Sequence, residues 1–220
     1  MKHFTVTLAF SLLVLIGCAP TVENKEDLVD NQVQNDIFWT WFQDHSDELY
    51  EFENNQDQLF DQLTAELNKI DENLTFVFGG SQDDDTRDFI ISAGGITSSF
   101  DAVENLCNVA PNMKSWVIIA FRPRIGADLR IMFDTIEMDG QLMKFTYKPA
   151  GDVVDIKLFV PNYDSSDDRY ISAAFIMLDN ALGEYDVETK IGEIEFLSVP
   201  NDTTNLLPFS ELPNVVDNYK

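Results

Sequence analysis

Histidine and cysteine are scarce in this chain of 220 residues, which has two of each. The sequence also lacks a Walker loop, a nucleophile elbow, a dinucleotide-binding fingerprint and a His-Glu-x-x-His motif. The common signatures of phosphate binding and of hydrolysis are therefore missing. We predict neither a cofactor nor a metal site.

Basic residues are few as well. The chain has 14 Lys and Arg against 39 Asp and Glu, which gives a formal net charge of −25. Binding to a phosphate backbone requires clustered Lys and Arg, so this composition argues against a nucleic-acid partner. Apolar residues make up 45% of the sequence, enough to bury a sizeable core in a globular protein.

The N-terminus resembles the signal peptide of bacterial lipoproteins. Lys2 gives a positive start, the apolar run Phe4–Ile16 is too short to span a bilayer, and Gly17-Cys18 follows at once. In the lipobox that this pattern resembles, the cysteine is acylated and becomes the first residue after cleavage. We predict a signal peptide over 1–17 and a membrane anchor at Cys18. The alternative is a buried apolar segment that happens to contain a cysteine.

The residue after Cys18 is Ala19 rather than aspartate. By resemblance to the sorting rule of enteric bacteria, this favours the outer over the inner membrane of the cell envelope.

Removal of the signal peptide leaves His45 as the remaining histidine and Cys107 as the remaining unmodified thiol. An intramolecular disulfide and a zinc site with several His or Cys ligands are then excluded by number. His45 lies on an apolar helical stripe, so we interpret it as a packed histidine rather than a catalytic base. Cys107 shares a helical spacing with Phe100, Val103 and Leu106, which favours a buried, inert thiol over a reactive one.

Hydrophobic periodicity predicts the secondary structure. Apolar stripes indicate helices over 38–52 and 59–70, which we interpret as an antiparallel helix pair, and further helices over 100–109 and 170–182. Strands are predicted over 74–78, 87–92, 116–120, 129–138, 141–148, 153–160 and 191–199. Helices interspersed with hairpins favour an α+β fold, a two-layer sandwich of a mostly antiparallel sheet with helices on one face.

Two predictions concern strand pairing. The unbroken apolar run Trp116–Phe121, which ends in Arg122-Pro123-Arg124, is typical of a central strand that is buried on both faces. The dipeptide Asp139-Gly140 predicts a hairpin turn that pairs 141–148 with 129–138.

Composition shifts divide the chain. The polar, acidic segment 18–35 has no sustained periodicity and is predicted to be a flexible tether. Residues 36–200 form the predicted single α+β domain. The proline-containing segment 201–220 is predicted to be an extended tail.

The candidate site follows from charge type. Guanidinium groups favour planar carboxylate partners, so in this acidic chain the arginines that follow the apolar run should collect acids from the end of the 170–182 helix and from the tight turn predicted after it. The predicted ligand-binding set is Arg122, Arg124, Asp179, Glu184, Asp186, Glu188 and Lys190. The alternative is an ion-pair cluster that only holds the helix against the strand end.

Two acidic runs could offer oxygen ligands to a hard cation. They are Asp83–Asp85 with Asp88, and Asp164 with Asp167 and Asp168. Neither has the glycine and the distal glutamate of an EF-hand loop, so we interpret both as solvated loop charge.

Three segments resemble a family of uncharacterised bacterial proteins. They are Phe121-Arg122-Pro123-Arg124, Ile91–Ile96 and Leu178–Gly192, and the similarity covers about Phe38 to Phe196. The resemblance implies a single domain and brings no activity with it.

Together these features favour a membrane-anchored lipoprotein of the bacterial cell envelope that acts as a non-enzymatic binding or interaction domain. Its partner would be an envelope protein or a small ligand. The alternative is a hydrolase-like envelope enzyme that uses carboxylates and arginines on a small or sugar-like substrate.

Overall fold

A computed structural model of the protein describes residues 25–80 and 86–219, with the backbone alone for 25–30. The predicted signal peptide over 1–17, Cys18 and the acidic run Asp83–Asp85 lie outside the described residues. Within the described ranges, no helix combines the length and apolar character needed to cross a membrane.

The fold class is α+β, as predicted. The helices of the described ranges are α1 (Lys25–Asp44), α2 (Ser46–Tyr50), α3 (Gln56–Leu67), α4 (Phe100–Asn108), α5 (Arg169–Leu182), α6 (Glu184–Lys190) and α7 (Leu212–Asn218). The strands are β1 (Thr75–Gly80), β2 (Arg87–Ser92), β3 (Trp116–Ala120), β4 (Arg130–Phe133), β5 (Ile136–Asp139), β6 (Lys144–Ala150), β7 (Val153–Val160), β8 (Ile191–Ser198) and β9 (Leu207–Pro208). In this part of the chain they form three sheets, where the sequence pattern predicts one.

The N-terminal unit, α1 to β3, is a sheet covered by helices on one face. Strands β1 and β2 form an antiparallel hairpin, α4 follows, and β3 returns parallel to β2. Because side chains alternate along a strand, Phe76, Phe78, Phe89 and Ile91 share one face. This face packs into a core to which α1, α3 and α4 all contribute. The helix predicted over 38–52 is divided in the structure, because α1 ends at Asp44 and α2 follows over Ser46–Tyr50, whereas the helix predicted over 59–70 corresponds to α3. Helix α1 lies beside α2 and α4, and α3 lies beside β1.

The C-terminal unit, β4 to α7, repeats this connection order. Strands β6 and β7 form an antiparallel hairpin, α5 and α6 follow, and β8 returns parallel to β7. Strand β9 pairs with the other side of β6, and β4 and β5 form a separate hairpin. The predicted alternation of β7 is confirmed, with Val154, Ile156, Leu158 and Val160 buried. A second hydrophobic core, distinct from the first, lies between this sheet and α5.

The prediction that Trp116–Ala120 is a central strand is wrong. In the three-stranded sheet the central position belongs to β2, and β3 lies at the edge. Consistent with this position, the side chain of Val117 is 42% exposed.

The predicted hairpin at Asp139-Gly140 is also wrong. The turn lies earlier, at Asp134-Thr135, where Asp134 adopts a positive φ of 54°. Gly140 meets a different requirement: a Cβ at this position would lie 1.9 Å from the carbonyl oxygen of Ala127. Close backbone packing, rather than a turn, therefore explains this glycine.

The predicted segment boundaries shift at both ends of the domain. Helix α1 begins at Lys25, inside the predicted tether over 18–35. The segment 201–220 is not an extended tail, because β9 and α7 lie in it and Phe209, Leu212 and Val216 are buried in the C-terminal core. The burial of these three apolar residues stabilises a folded segment, although its prolines had suggested an extended chain.

Cys107 and His45 are both packed against neighbouring residues. Burial raises the pKa of the half-buried Cys107 thiol to about 12, so the thiol stays protonated at neutral pH. The His45 ring stacks on Trp41 with ring centroids 4.5 Å apart, and its Nδ1 lies 2.8 Å from the Trp41 carbonyl oxygen. These contacts agree with the prediction of a packed histidine.

Candidate functional site

A cleft of about 470 Å³ lies between the N-terminal and C-terminal units. One wall is the face of the β1–β2 hairpin that points away from the core, and the opposite wall is α5. The loop after β2, the segment after β3 and α6 close the remaining sides. The lining residues are Val77, Ile90, Gly94, Gly95, Arg122, Pro123, Ile125, Phe175, Ile176, Asp179, Asn180 and Glu188.

Strand alternation places apolar residues on the cleft wall. Val77 is paired with Ile90 across the hairpin, on the face opposite the phenylalanines of the core. From the other unit, Phe175 and Ile176 lie on the side of α5 that points away from its own core, and they are 38% and 36% exposed. Apolar side chains therefore line both walls without closing the space between them.

The segment after β3 carries Arg122 to the cleft and Arg124 beside it. Phe121 has a positive φ of 64°, and its N–H donates to the Ile91 carbonyl at 2.8 Å. The next turn is attached to the end of α5, because the N–H groups of Ile125 and Gly126 both donate to the Asn180 carbonyl at 2.9 Å. This geometry fixes Arg122 between the two units.

Glu184 is a fully buried carboxylate at the base of the cleft. Its Oε1 accepts the N–H groups of Ala93 at 3.1 Å and Gly95 at 3.0 Å, and its Oε2 accepts the N–H of Arg122 at 3.1 Å. The backbone N–H of Glu184 in turn donates to the Arg122 carbonyl at 3.0 Å. A single side chain of the C-terminal unit thus binds the loop after β2 in the N-terminal unit and the segment after β3 that joins the two units.

Gly183 permits this close approach. It has a φ of +82° and a ψ of 148°, a region that glycine alone occupies readily. A Cβ at Gly183 would lie 3.3 Å from the Arg122 carbonyl oxygen. The chain then continues directly into α6, which carries the acids that the sequence places in a turn.

The Arg122 guanidinium lies between two carboxylates. Its Nη2 donates to Asp179 Oδ2 at 2.8 Å, and its Nε lies 3.8 Å from Glu184 Oε2. Burial raises the pKa of Asp179, and the charge of Arg122 offsets only part of that rise.

Glu188 lines the cleft one helical turn after Glu184. Desolvation raises its pKa most, the nearby Asp179 and Glu184 raise it further, and Arg122 lowers it. Within the described ranges, Glu188 takes part in no salt bridge. It is therefore a half-buried carboxylate without an ion-pair partner in these ranges, and only the more distant charge of Arg122 favours its ionised form.

The remaining predicted residues form a network beside the cleft. Arg124 donates to Asp186 at 2.6 Å, to Asp217 at 2.8 Å and, through Nε, to the Leu182 carbonyl at 2.8 Å. Lys190 Nζ lies 2.9 Å from Asp186. These contacts tie α7 and α6 to the segment after β3, the structural arrangement that was the alternative to a binding site.

The predicted set is thus brought together in three parts. Arg122, Asp179 and Glu188 line the cleft, Glu184 lies buried beneath it, and the network beside it holds Arg124, Asp186 and Lys190. Sequence reasoning missed Asp217 and the apolar walls. The sequence did contain one signal for the apolar walls. Helix α5 is apolar around most of its circumference, which indicates a helix that packs on more than one side.

The acidic run after β7 is used in local turns. Asp164 accepts the backbone N–H and the hydroxyl of Ser166 at 2.9 and 2.7 Å, and Asp167 pairs with Arg169 at 2.7 Å. Across residues 25–80 and 86–219, no group of three or more His, Cys, Asp or Glu is arranged to hold a metal ion.

Comparison of the chain with family models, curated proteins and solved structures found no match.

Proposed function

We propose that this protein is a lipoprotein of the bacterial cell envelope, anchored at Cys18, whose folded part is a non-enzymatic binding domain with the cleft as its ligand site. The observation that carries the proposal is the cleft, which combines apolar walls with a few charged groups. Its volume of about 470 Å³ lies in the usual range for small-molecule sites, roughly 300–1,000 Å³.

The base of the cleft is suited to binding because it is held rigidly. The backbone hydrogen bonds to Glu184 fix the loop after β2 and the start of the Arg122 segment relative to α6. A site that is ordered before its ligand arrives loses less conformational entropy on binding.

The proposed anchor comes from the sequence pattern that ends at Gly17-Cys18, and Ala19 favours the outer membrane. Helix α1 begins soon afterwards, at Lys25. Attachment through acyl chains would keep the cleft near the membrane surface without a spanning helix.

The second candidate function is a hydrolase-like enzyme that uses the same cleft. One observation favours it: Asp179 and Glu188 both have a raised pKa and line one cavity. Carboxyl groups with a raised pKa can act as general acids at neutral pH.

The test of binding uses the protein in detergent extract of the envelope. Wild type is captured with its bound small molecules and compared with Ile176→Asp, which places a charge on the apolar wall. The matched control is Leu142→Asp, an exposed apolar residue that does not line the cleft. A compound retained by wild type and the control but lost from Ile176→Asp supports the site.

Two further measurements cover the rest of the proposal. Labelling with radioactive palmitate should mark wild type and leave Cys18→Ser unmarked, and an unlabelled wild type would refute the anchor. A panel of hydrolase substrates should show no turnover. Turnover abolished by Asp179→Asn or Glu188→Gln alone would favour the enzyme.

A further inference from the structure

The charges around the cleft do not balance. Asp179, Glu184 and Glu188 surround one cation, Arg122. Arg122 already contacts Asp179 and Glu184, so Glu188 is the carboxylate without an ion-pair partner in the described part of the chain. The charged groups of the site therefore sum to a negative charge before a ligand binds.

The other two cations of the predicted set are engaged elsewhere. Lys190 pairs with Asp186, and Arg124 pairs with Asp186 and Asp217. Neutralising Glu188 from within the protein would require breaking one of these contacts. The raised pKa of Glu188 agrees with a carboxylate that is partly buried and has no ion-pair partner.

The Glu188 carboxylate lies against the glycine wall of the cleft. A Cβ built on Gly95 would approach Glu188 Oε1 to 3.0 Å, so this oxygen lies close to the Gly95 backbone. Gly95 has a φ of +82°, and its N–H is already donated to Glu184. The Gly95 N–H is therefore not free for Glu188, and a donor on a ligand in the cleft could pair with this carboxylate.

The chemistry of the lining narrows the ligand class. A hard divalent cation takes six or more oxygen ligands, whereas most of this lining is apolar. An anion would have to compete with Asp179 and Glu184 for Arg122. An organic cation fits both the unpaired carboxylate and the apolar lining, because its donors can pair with Glu188 while its carbon body covers the apolar walls.

We infer that the ligand of the cleft is an organic monocation, an ammonium or guanidinium group on an apolar body. The cation pairs with Glu188, and the apolar body lies between Val77 and Ile90 on one side and Phe175 and Ile176 on the other. This inference rests on the proposed function, since it names the ligand class of the same site.

The test compares three probes that share one apolar body: 2-phenylethylamine, 2-phenylethanol and 3-phenylpropionate. Each is titrated at neutral pH into the full lipidated protein in zwitterionic nanodiscs, with empty nanodiscs as the blank, and dissociation constants are measured by ligand-observed NMR. For wild type we expect the amine to bind at least about tenfold more tightly than the alcohol, because a charge-assisted contact replaces a neutral one.

The same titration with Glu188→Gln should remove most of the preference for the amine. The matched control is Glu104→Gln, which removes an identical charge from a half-buried glutamate on α4, outside the cleft lining. It should keep the wild-type preference, so a loss of preference in the control as well would assign the effect to overall charge and overturn the inference.

Three other results overturn the inference. They are an alcohol or carboxylate that binds as tightly as the amine, an amine that binds Glu188→Gln as well as wild type, and no amine binding at the highest soluble concentration. Failure of this inference can be told apart from failure of the proposed function. A captured envelope compound that is an anion and depends on Ile176 would refute the cation while leaving the cleft as the binding site. If Ile176→Asp retains every compound that wild type retains, the cleft itself is refuted as the binding site.

Discussion

The N-terminal and C-terminal units share one connection order, a hairpin, a helical crossover and a parallel strand, but fill their cores with different side chains. The N-terminal core is aromatic, with Phe42 stacked on Phe89 at 4.7 Å and edge-on to Trp116 at 5.1 Å. The C-terminal core is mostly aliphatic and places Ala173 and Ala174 of α5 against the sheet. The same order of strands and helices is therefore compatible with two kinds of core, and the identity of the residues sets the volume that each core fills.

The units also differ in what they present to each other. The N-terminal unit contributes the outer face of a sheet through Val77 and Ile90, and the C-terminal unit contributes the outer side of a helix through Phe175 and Ile176. These surfaces do not close on one another, and Glu184 supplies buried contacts at the base. The candidate site thus belongs to neither unit alone.

The largest expected effect comes from removing that link. Glu184→Ala leaves three backbone N–H groups and Arg122 without their carboxylate, and removal of one partner from a buried ionic contact costs about 3–5 kcal/mol of unfolding free energy. We expect a fall of at least about 6 °C in Tm, measured by calorimetry. The control Glu193→Ala, at an exposed position of β8, should change stability little. A variant as stable as wild type would show that other contacts hold the units together.

Gly183→Ala should have the next largest effect. Its backbone region is nearly restricted to glycine, and the new Cβ would press on the Arg122 carbonyl. We expect a loss of about 1–3 kcal/mol in chemical denaturation. Gly80→Ala is the matched control, because nothing lies within 4 Å of its Cβ position. Equal effects at both glycines would contradict the close approach at the base of the cleft.

Arg124→Ala tests the network beside the cleft, with an expected loss of about 1 kcal/mol because its ion pairs are partly exposed. Arg124→Lys keeps the charge but not the planar fork, so it should recover only part of this loss. The Arg124 guanidinium lowers the pKa of Asp217. The stabilising contribution of that carboxylate is therefore present at neutral pH and is lost as the pH falls through its folded-state pKa. In denaturation series at several pH values, the difference between wild type and Arg124→Ala should shrink in acid.

Glu188→Gln should have the smallest effect and the opposite sign. The pKa of Glu188 is raised, so the stabilising contribution of its protonated form is present below 4.5, the ordinary value, and is lost as the pH rises through the folded-state pKa. At neutral pH the variant removes a like-charge pair one helical turn apart. Stability should rise by about 0.2–0.5 kcal/mol, or about 1–2 °C in Tm. The gain should vanish in acid, and a loss at neutral pH would show that Glu188 has a stabilising partner.

The helices and strands follow closely from the local pattern. The buried Leu59, Leu63 and Leu67 of α3 repeat at a helical spacing, and the buried residues of β7 alternate, so each element could be predicted by itself. The pairing partners of the strands could not be predicted in this way. The run Trp116–Ala120 has the composition of a central strand and lies at an edge, because the position of a strand depends on segments distant in the chain.

The candidate site could be predicted only in part, because it too depends on segments that are distant in the chain. The sequence by itself determined which residues carry charge, and in a chain with few cations Arg122 and Arg124 had to find acids such as Asp179 and Asp186. Only the tertiary structure decided which carboxylate is buried, which is paired and which, as at Glu188, is left facing a cleft. The difference between these carboxylates depends on desolvation and on distances between the N-terminal and C-terminal units. A local sequence pattern contains neither quantity.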